Sequence, residues 1–169
     1  MIPMRHKRFD KMECPIARSL ERVGEWWTIL ILRDALLGTT RFDEFQKSLE
    51  IAPNILTRRL RAMEEAGLLQ RRRYSERPPR DEYILTRRGR DFSPVLLALL
   101  AWGNKHFAPE GESVSLVDAR TGLTAVPAMY DAVSGRPITM RDFQFRPGPA
   151  ANERIHRRYG APKRERETK

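Results

Sequence analysis

The amino-acid sequence predicts a mainly helical fold with a small β-hairpin and a short C-terminal β-meander. Apolar residues recur at helical spacing in four successive segments that end at Gly67. Two β-type runs follow around a proline-rich turn, and helical spacing then resumes up to Phe107. The expected regions are a basic arm (1–13), the helical domain with its hairpin (14–107), a small β-rich extension (108–149) and a basic flexible tail (150–169).

Composition excludes several classes of protein. A chain of 169 residues with 40% hydrophobic and 32% charged residues is typical of a globular domain with an extension. The longest apolar runs, Trp26–Leu32 and Val95–Trp102, are too short to cross a bilayer, so no membrane partner is expected. No apolar segment follows the charged N-terminus, which favours the cytoplasm. The single cysteine, Cys14, excludes an internal disulfide and a cysteine-based zinc finger.

The net charge of +10 is compatible with a polyanionic partner or with ordinary solubility. The distribution of the charge favours the polyanion. Residues 51–90 contain eleven arginines against five acids, and they therefore carry six of the ten net charges. We expect double-stranded DNA to bind there.

Four helices are expected in the first half of the chain. The first runs from Pro15 to Arg22, and the second, apolar almost all round, from Trp26 to Leu37. Thr40, with Asp43 three residues on, is a helix-start signature for the third. Pro53 suits the first turn of the fourth helix, which ends at Gly67.

The second half begins with two predicted strands, 68–74 and 81–86. Thr86 can cap a further helix, in which Ser93-Pro94 predicts a kink or a restart. Asp-Ala-x-[Thr/Ser]-Gly then occurs twice, from Asp118 and from Asp131, which predicts two turns of a meander.

The third and fourth helices, joined by the short connection 50–52, have the arrangement of a helix-turn-helix, and the hairpin that follows makes it a winged helix-turn-helix. The second helix of such a unit lies in the DNA major groove. Leu56, Leu60 and Met63 take its core face. The outward residues, which we expect to read bases, are Asn54, Thr57, Arg58 and Arg61. The alternative is a solvated helix face.

Other arginines are candidates for the DNA backbone or the wing. Arg77 and Arg80 lie beside two prolines, which stiffen the turn so that it can enter a minor groove. Strand alternation directs Arg71 and Arg73 to one side and Arg72 to the other. The expected backbone and wing contacts are Arg41, Arg59, Arg71, Arg73, Arg77 and Arg80.

Several motifs in order resemble the HxlR-type (MarR-like) winged helix-turn-helix regulators. They are Cys14-Pro-Ile-Ala-Arg-Ser-Leu, Gly24-Glu-Trp-Trp-Thr-Ile-Leu-Ile-Leu-Arg33, Arg41-Phe-Asp-Glu-Phe, Ile51-Ala-Pro-Asn-Ile-Leu-Thr-Arg-Arg-Leu60, Gly67-Leu-Leu-Gln-Arg71, Tyr83-Ile-Leu-Thr86 and Trp102-Gly103. The resemblance covers about residues 14–105. It implies a homodimer, with the first and last helices at its interface, that binds a pseudo-palindromic operator and represses or activates genes. Ala52 departs from the family, which often has a helix-capping serine there.

Cys14 matches the N-terminal cysteine with which some members of this family sense oxidants or electrophiles. Its position ahead of a helix N-terminus would lower the thiol pKa. The alternative, which we favour, is that Cys14 is a small buried apolar residue at the dimer interface. The sequence therefore leaves a small-molecule or redox effector open and does not identify it.

The C-terminal repeat resembles a zinc-ribbon knuckle of some relatives, in which Cys-Gly pairs stand where this chain has Thr121-Gly122 and Ser134-Gly135. Threonine and serine do not hold zinc in such sites, so neither a metal nor a cofactor is expected. The sequence shows no nucleophile–base pair or phosphate-binding loop, which argues against an enzyme. A winged helix used only for protein contacts is the other alternative, and the arginines of the fourth helix and the turn argue against it.

Overall fold

The computed structural model describes residues 14–160; the predicted arm and residues 161–169 of the predicted tail lie outside it. The described residues divide into two compact units, one comprising Arg22–Pro127 and the other comprising residues 14–21 with residues 128–160. The described elements are α1 (Pro15–Val23), α2 (Trp26–Leu36), α3 (Phe42–Leu49), α4 (Pro53–Glu65), β1 (Leu69–Glu76), β2 (Pro79–Leu85), α5 (Arg87–Arg90), α6 (Ser93–Phe107) and α7 (Glu153–Tyr159). Mainly helical structure with one antiparallel hairpin confirms the predicted winged helix-turn-helix.

The core of the larger unit lies between α2, α3 and α4. Ile31 and Leu32 of α2 are fully buried, as are Phe45 of α3 and Leu56 and Leu60 of α4. Their apolar spacing places one side of each helix against the others, and burial of each side chain contributes about 1.5–3 kcal/mol. The inward face predicted for α4 is therefore the observed one.

A buried carboxylate links α2 to α3. Asp34 is 4% exposed, and it accepts hydrogen bonds from Ser48 Oγ at 2.7 Å and from Arg33 Nε at 2.8 Å. A buried charge is tolerated when it is paired and hydrogen-bonded in this way. The link fixes α3 relative to the central helix.

The helix-turn-helix has well-defined ends. α3 begins after Arg41, whose backbone N–H donates to the Glu44 carboxylate at 3.1 Å. The capping acid is therefore Glu44, whereas the sequence pattern predicted Asp43. Glu50, in the left-handed region at φ 51°, ends α3 and turns the chain toward Pro53. This left-handed residue allows a short turn between the two helices.

The hairpin β1–β2 is docked on the helix-turn-helix at its base. Leu69 pairs with Leu85, and the Tyr83 N–H donates to the Thr40 carbonyl at 2.7 Å. Both strands reach closer to the turn than predicted, because the cross-strand pairing continues to Glu76 and Pro79.

The helical region after the hairpin is divided, as the Ser93-Pro94 pair predicts. The Thr86 hydroxyl accepts from the Gly89 N–H at 3.1 Å and caps α5. Gly89 is buried, and a Cβ there would meet the Leu68 carbonyl oxygen and, at 2.8 Å, Leu85 Cδ2. α6 restarts at Ser93 and leaves much of its apolar surface exposed.

The two turns predicted for the C-terminal extension are present, but the described residues 108–149 form only isolated bridges there and not the strands of the predicted meander. Asp118 accepts from the backbone N–H groups of Arg120 and Thr121, and its turn is closed by an isolated bridge from Val117 to Thr124. Asp131 closes the second turn in the same way, accepting from the Ser134 N–H at 2.9 Å. Neither turn extends into a continuous strand among the described residues.

The C-terminal segment contains a helix where an irregular tail was expected. The Asn152 side chain accepts from the Ile155 N–H at 3.1 Å and caps α7. The Phe145 and Tyr159 rings meet edge to face, with centroids 6.0 Å apart. The cap and the aromatic contact account for order in a strongly basic segment. None of the described helices is long and apolar enough to span a membrane.

Candidate nucleic-acid interface

The outward face of α4 holds the four predicted base-reading residues. Asn54, Thr57, Arg58 and Arg61 are all exposed. The Asn54 carboxamide oxygen accepts from the Ile55 N–H at 2.9 Å, and the Thr57 hydroxyl donates to the Pro53 carbonyl at 2.8 Å. Asn54 lies in the first turn of the helix and Thr57 one turn after Pro53, in the N-terminal part that meets base edges in this class of unit.

The two arginines of this face differ in their partners. Arg58 forms no ion pair or hydrogen bond with any residue that the structure describes. Arg61 Nε lies 3.0 Å from Glu65 Oε1 one turn on, in a pair whose side chains are 80% and 66% exposed. Such an exposed pair is weak, about 0.3–0.5 kcal/mol, so it leaves Arg61 able to exchange partners.

Arg59 lies on a different side of the helix. Its Nη2 is 2.8 Å from Glu25 Oε2, and the side chain is only 18% exposed. The Nε atom is buried without a hydrogen-bond partner among the described residues. The guanidinium therefore joins α4 to the residue that precedes α2, and the predicted phosphate contact by Arg59 stays a prediction.

The arginines of β1 pair with acids of β2. Arg72 Nη2 lies 2.8 Å from Glu82, and Arg73 Nε lies 2.7 Å from Asp81, in each case the residue directly opposite on the other strand. Arg71 Nη1 lies 3.8 Å from Asp81. Arg71 and Arg73 share one carboxylate while Arg72 uses another, as strand alternation predicts.

The arginines near the turn of the hairpin differ from those of β1. Arg77 and Arg80 are exposed, and neither forms an ion pair with a residue of the described segment 14–160. Ser75 Oγ donates to the Pro78 carbonyl at 2.9 Å and closes the turn. At the irregularity of β1 near the turn, the Arg41 guanidinium lies 4.8 Å from the centre of the Tyr74 ring.

Ion pairing changes the acid–base properties of the hairpin. The hydrogen bond from Arg73 lowers the pKa of Asp81, and that from Arg72 lowers the pKa of Glu82. Burial raises the pKa of the Tyr83 phenol. Both carboxylates therefore stay ionised at neutral pH and offset the charge of the β1 arginines.

Cys14 lies half-buried at the start of α1. The Ala17 backbone N–H donates to the thiol and lowers the pKa of Cys14, against a smaller opposing effect of desolvation. The Ile16 N–H, the Tyr159 hydroxyl and the charge of Arg158 act in the same direction as Ala17. The environment thus favours the thiolate, the reactive form of cysteine.

No group of three or more His, Cys, Asp or Glu within residues 14–160 is arranged to hold a metal ion. Ser134 Oγ, in a position compared above with a zinc-binding cysteine, hydrogen-bonds to Asp131. The Thr121 backbone N–H donates to Asp118 at 3.0 Å. Each turn is held by its own aspartate.

Sequence patterns did not reveal two features of the site. The Glu25–Arg59 pair joins residues distant in the chain, and no local pattern marks it. The cross-strand pairs of the hairpin had a signal, since acids at 81 and 82 follow arginines at 71–73, but the register was needed to match them.

Comparison with known proteins places this geometry in a family. The family model described as HxlR-like helix-turn-helix matches residues 22–111 of this chain. An uncharacterised HTH-type transcriptional regulator of Mycobacterium tuberculosis is 38% identical over 141 residues, which cover 83% of this chain and 89% of that protein.

Two solved structures are also similar. A protein of Pseudomonas aeruginosa described as a candidate transcription factor is 54% identical, with a TM-score of 0.64, over 86% of this chain and 99% of its own. The oxidised redox regulator HypR is 33% identical, with a TM-score of 0.51, over 55% of this chain and 97% of its own. These relatives are regulators and not enzymes. The fold, the motifs and the matched residues together show that the chain belongs to the HxlR-like helix-turn-helix family of transcriptional regulators.

Proposed function

We propose that the chain binds a pseudo-palindromic operator as a homodimer, with α4 (predicted as about 53–66) in the major groove and the hairpin turn (about 74–81) as an arginine-bearing wing. The observation that carries the proposal is the outward face of α4. It presents Asn54 and Arg58, and no acid occurs in α4 before Glu64. Asparagine pairs with adenine and arginine with guanine through two hydrogen bonds each.

The division of the arginines supports separate roles in DNA binding. Arg71 and Arg73 are offset by acids, whereas Arg77 and Arg80 are exposed at the turn. We therefore assign the principal wing contacts to Arg77 and Arg80. Arg71 and Arg73 become secondary candidates, because a phosphate would have to replace Asp81 as their partner.

Dimerisation is supported by apolar surface on the two helices that the family resemblance assigns to the interface. α1 exposes Ile16 and Leu20, and α6 exposes Leu99 and Trp102. Large apolar side chains exposed together on a helix are typical of interaction surfaces. A two-fold dimer would contact half-sites about one helical turn of DNA apart.

Gel shift on the region upstream of the chain's own gene tests the proposal. Arg58→Ala and Asn54→Ala should each reduce the preference for the operator over unrelated DNA by about 1–3 kcal/mol. Arg141→Ala, which removes an exposed cation outside α4 and the hairpin, is the control and should keep the preference. If neither substitution changes the preference, α4 does not read the bases.

A redox response of Cys14 is a second candidate, favoured by its lowered pKa and by the similarity to the redox regulator HypR. Since Cys14 is the only cysteine, a disulfide must join two chains or take up a small thiol. In the first case two thiols lose two electrons and two protons to an oxidant such as diamide. Mass spectrometry followed by gel shift tests it, and unchanged DNA binding by fully oxidised protein would exclude the role.

A further inference from the structure

The smaller compact unit contains a cavity that DNA binding does not use. Its volume is about 540 Å³, which is within the range of small-molecule sites. The first residues of α1 form one wall, including Cys14 and Ile16, and the segment 145–159 forms the other. No residue of the α4 face or the hairpin contributes to it.

The walls of the cavity are mainly apolar. Ile16, Phe145, Ile155 and Tyr159 line it together with two prolines. The edge-to-face contact of Phe145 with Tyr159 holds two of these side chains in place. A ligand with an apolar body would be stabilised here by the apolar surface that these side chains remove from water.

The charged groups at the cavity are cationic. Arg146 lines it and forms no ion pair or hydrogen bond with any residue that the structure describes, and Arg18 also lines it. No Asp or Glu is among its described lining residues. The charge of Arg158 also acts on Cys14 at the same place. A bound carboxylate would give Arg146 an ionic partner, which none of the residues 14–160 supplies.

We propose that this cavity binds a small apolar molecule with a single negative charge, such as an aromatic carboxylate, held by Arg146 with its apolar body against Phe145, Ile155 and Tyr159. The site lies in the terminal segments and outside the DNA-reading elements. The proposal does not depend on operator binding, and it can be tested in the absence of DNA.

Cys14 is a built-in reporter of occupancy, because it lines the cavity and is the only cysteine. The full-length protein is treated with iodoacetamide, and the rate of Cys14 alkylation is followed by mass spectrometry with increasing 1-naphthoate. Saturating naphthoate should slow alkylation at least about fivefold. The uncharged analogue 1-naphthamide should need about a fivefold higher concentration for the same protection, since it lacks the charge that Arg146 recognises.

Arg146→Gln separates the charge effect from simple filling of an apolar space. It should abolish most of the difference between naphthoate and naphthamide, whereas Arg141→Gln, which removes a charge of the same unit outside the cavity lining, should preserve it. Equal protection by both probes in the parent protein would refute the anionic class. The site would be refuted if naphthoate left the rate of Cys14 alkylation unchanged, or if iodoacetamide did not alkylate Cys14 in the absence of any probe.

Discussion

The ion pair between Glu25 and Arg59 leads to a quantitative prediction about stability. Glu25→Gln removes the charge opposite a guanidinium that is 18% exposed and whose Nε has no hydrogen-bond partner within the described part of the chain. Glu25 makes no side-chain capping bond to α2, so capping is not lost with the charge. Exposed pairs contribute about 0.2–1 kcal/mol and breaking fully buried pairs costs about 3–5 kcal/mol. For this half-buried pair, with Glu25 44% exposed, we expect a loss of about 1–2 kcal/mol.

The free energy of unfolding is measured by urea titration at one protein concentration, since dimerisation would make stability concentration-dependent. Glu65→Gln is the matched control: it removes one carboxylate from an arginine of the same helix, in a pair that is exposed on both sides. It should cost less than about 0.5 kcal/mol. The midpoint temperature of thermal unfolding should decrease by roughly 3–6 °C for Glu25→Gln but not for Glu65→Gln. Equal effects of the two substitutions would refute the structural role of Arg59.

Three further predictions concern the wing, the packing and the thiol. Arg77→Ala should weaken binding to all DNA sequences alike and lower the slope of log affinity against log salt by about one, measured by fluorescence anisotropy; an unchanged slope would contradict a phosphate contact. Gly89→Ala should destabilise the chain by about 2 kcal/mol or more through its clashes with the Leu68 carbonyl and the Leu85 side chain, whereas Gly148→Ala, with no atom within 4 Å of the added Cβ, should stay within about 0.5 kcal/mol in the same urea titration. The midpoint of Cys14 alkylation against pH should lie below that of an unperturbed cysteine thiol, and Tyr159→Phe should move it upward because the substitution removes a hydrogen bond that lowers the thiol pKa; a midpoint that does not move would contradict the contact.

Local chemistry made the helix-turn-helix predictable. α4 begins at Pro53 as expected, because proline suits the first turn, and its inward residues follow from the helical period. Gly67, at φ 67°, follows the helix as expected of a left-handed terminator. The outward face of the candidate site follows from the same period.

Features that depend on contacts between distant residues were harder to predict from the sequence. The hairpin strands extend further toward the turn than the apolar pattern indicates, because backbone pairing continues through Ser75–Arg80 and Glu76–Pro79. The order of α7 depends on one capping residue, Asn152, and on the contact of Phe145 with Tyr159. Composition describes the charge of that segment but not these contacts.

The most direct test of sequence-specific DNA binding is a ratio of two affinities at one salt concentration. Fluorescence anisotropy gives the dissociation constant for the region upstream of the chain's own gene and for a scrambled duplex of equal length and composition. A specific regulator should bind the upstream region at least about 10³-fold more tightly, and Arg58→Ala should reduce that ratio about tenfold or more. Equal affinity of the parent protein for both duplexes would contradict operator recognition by α4.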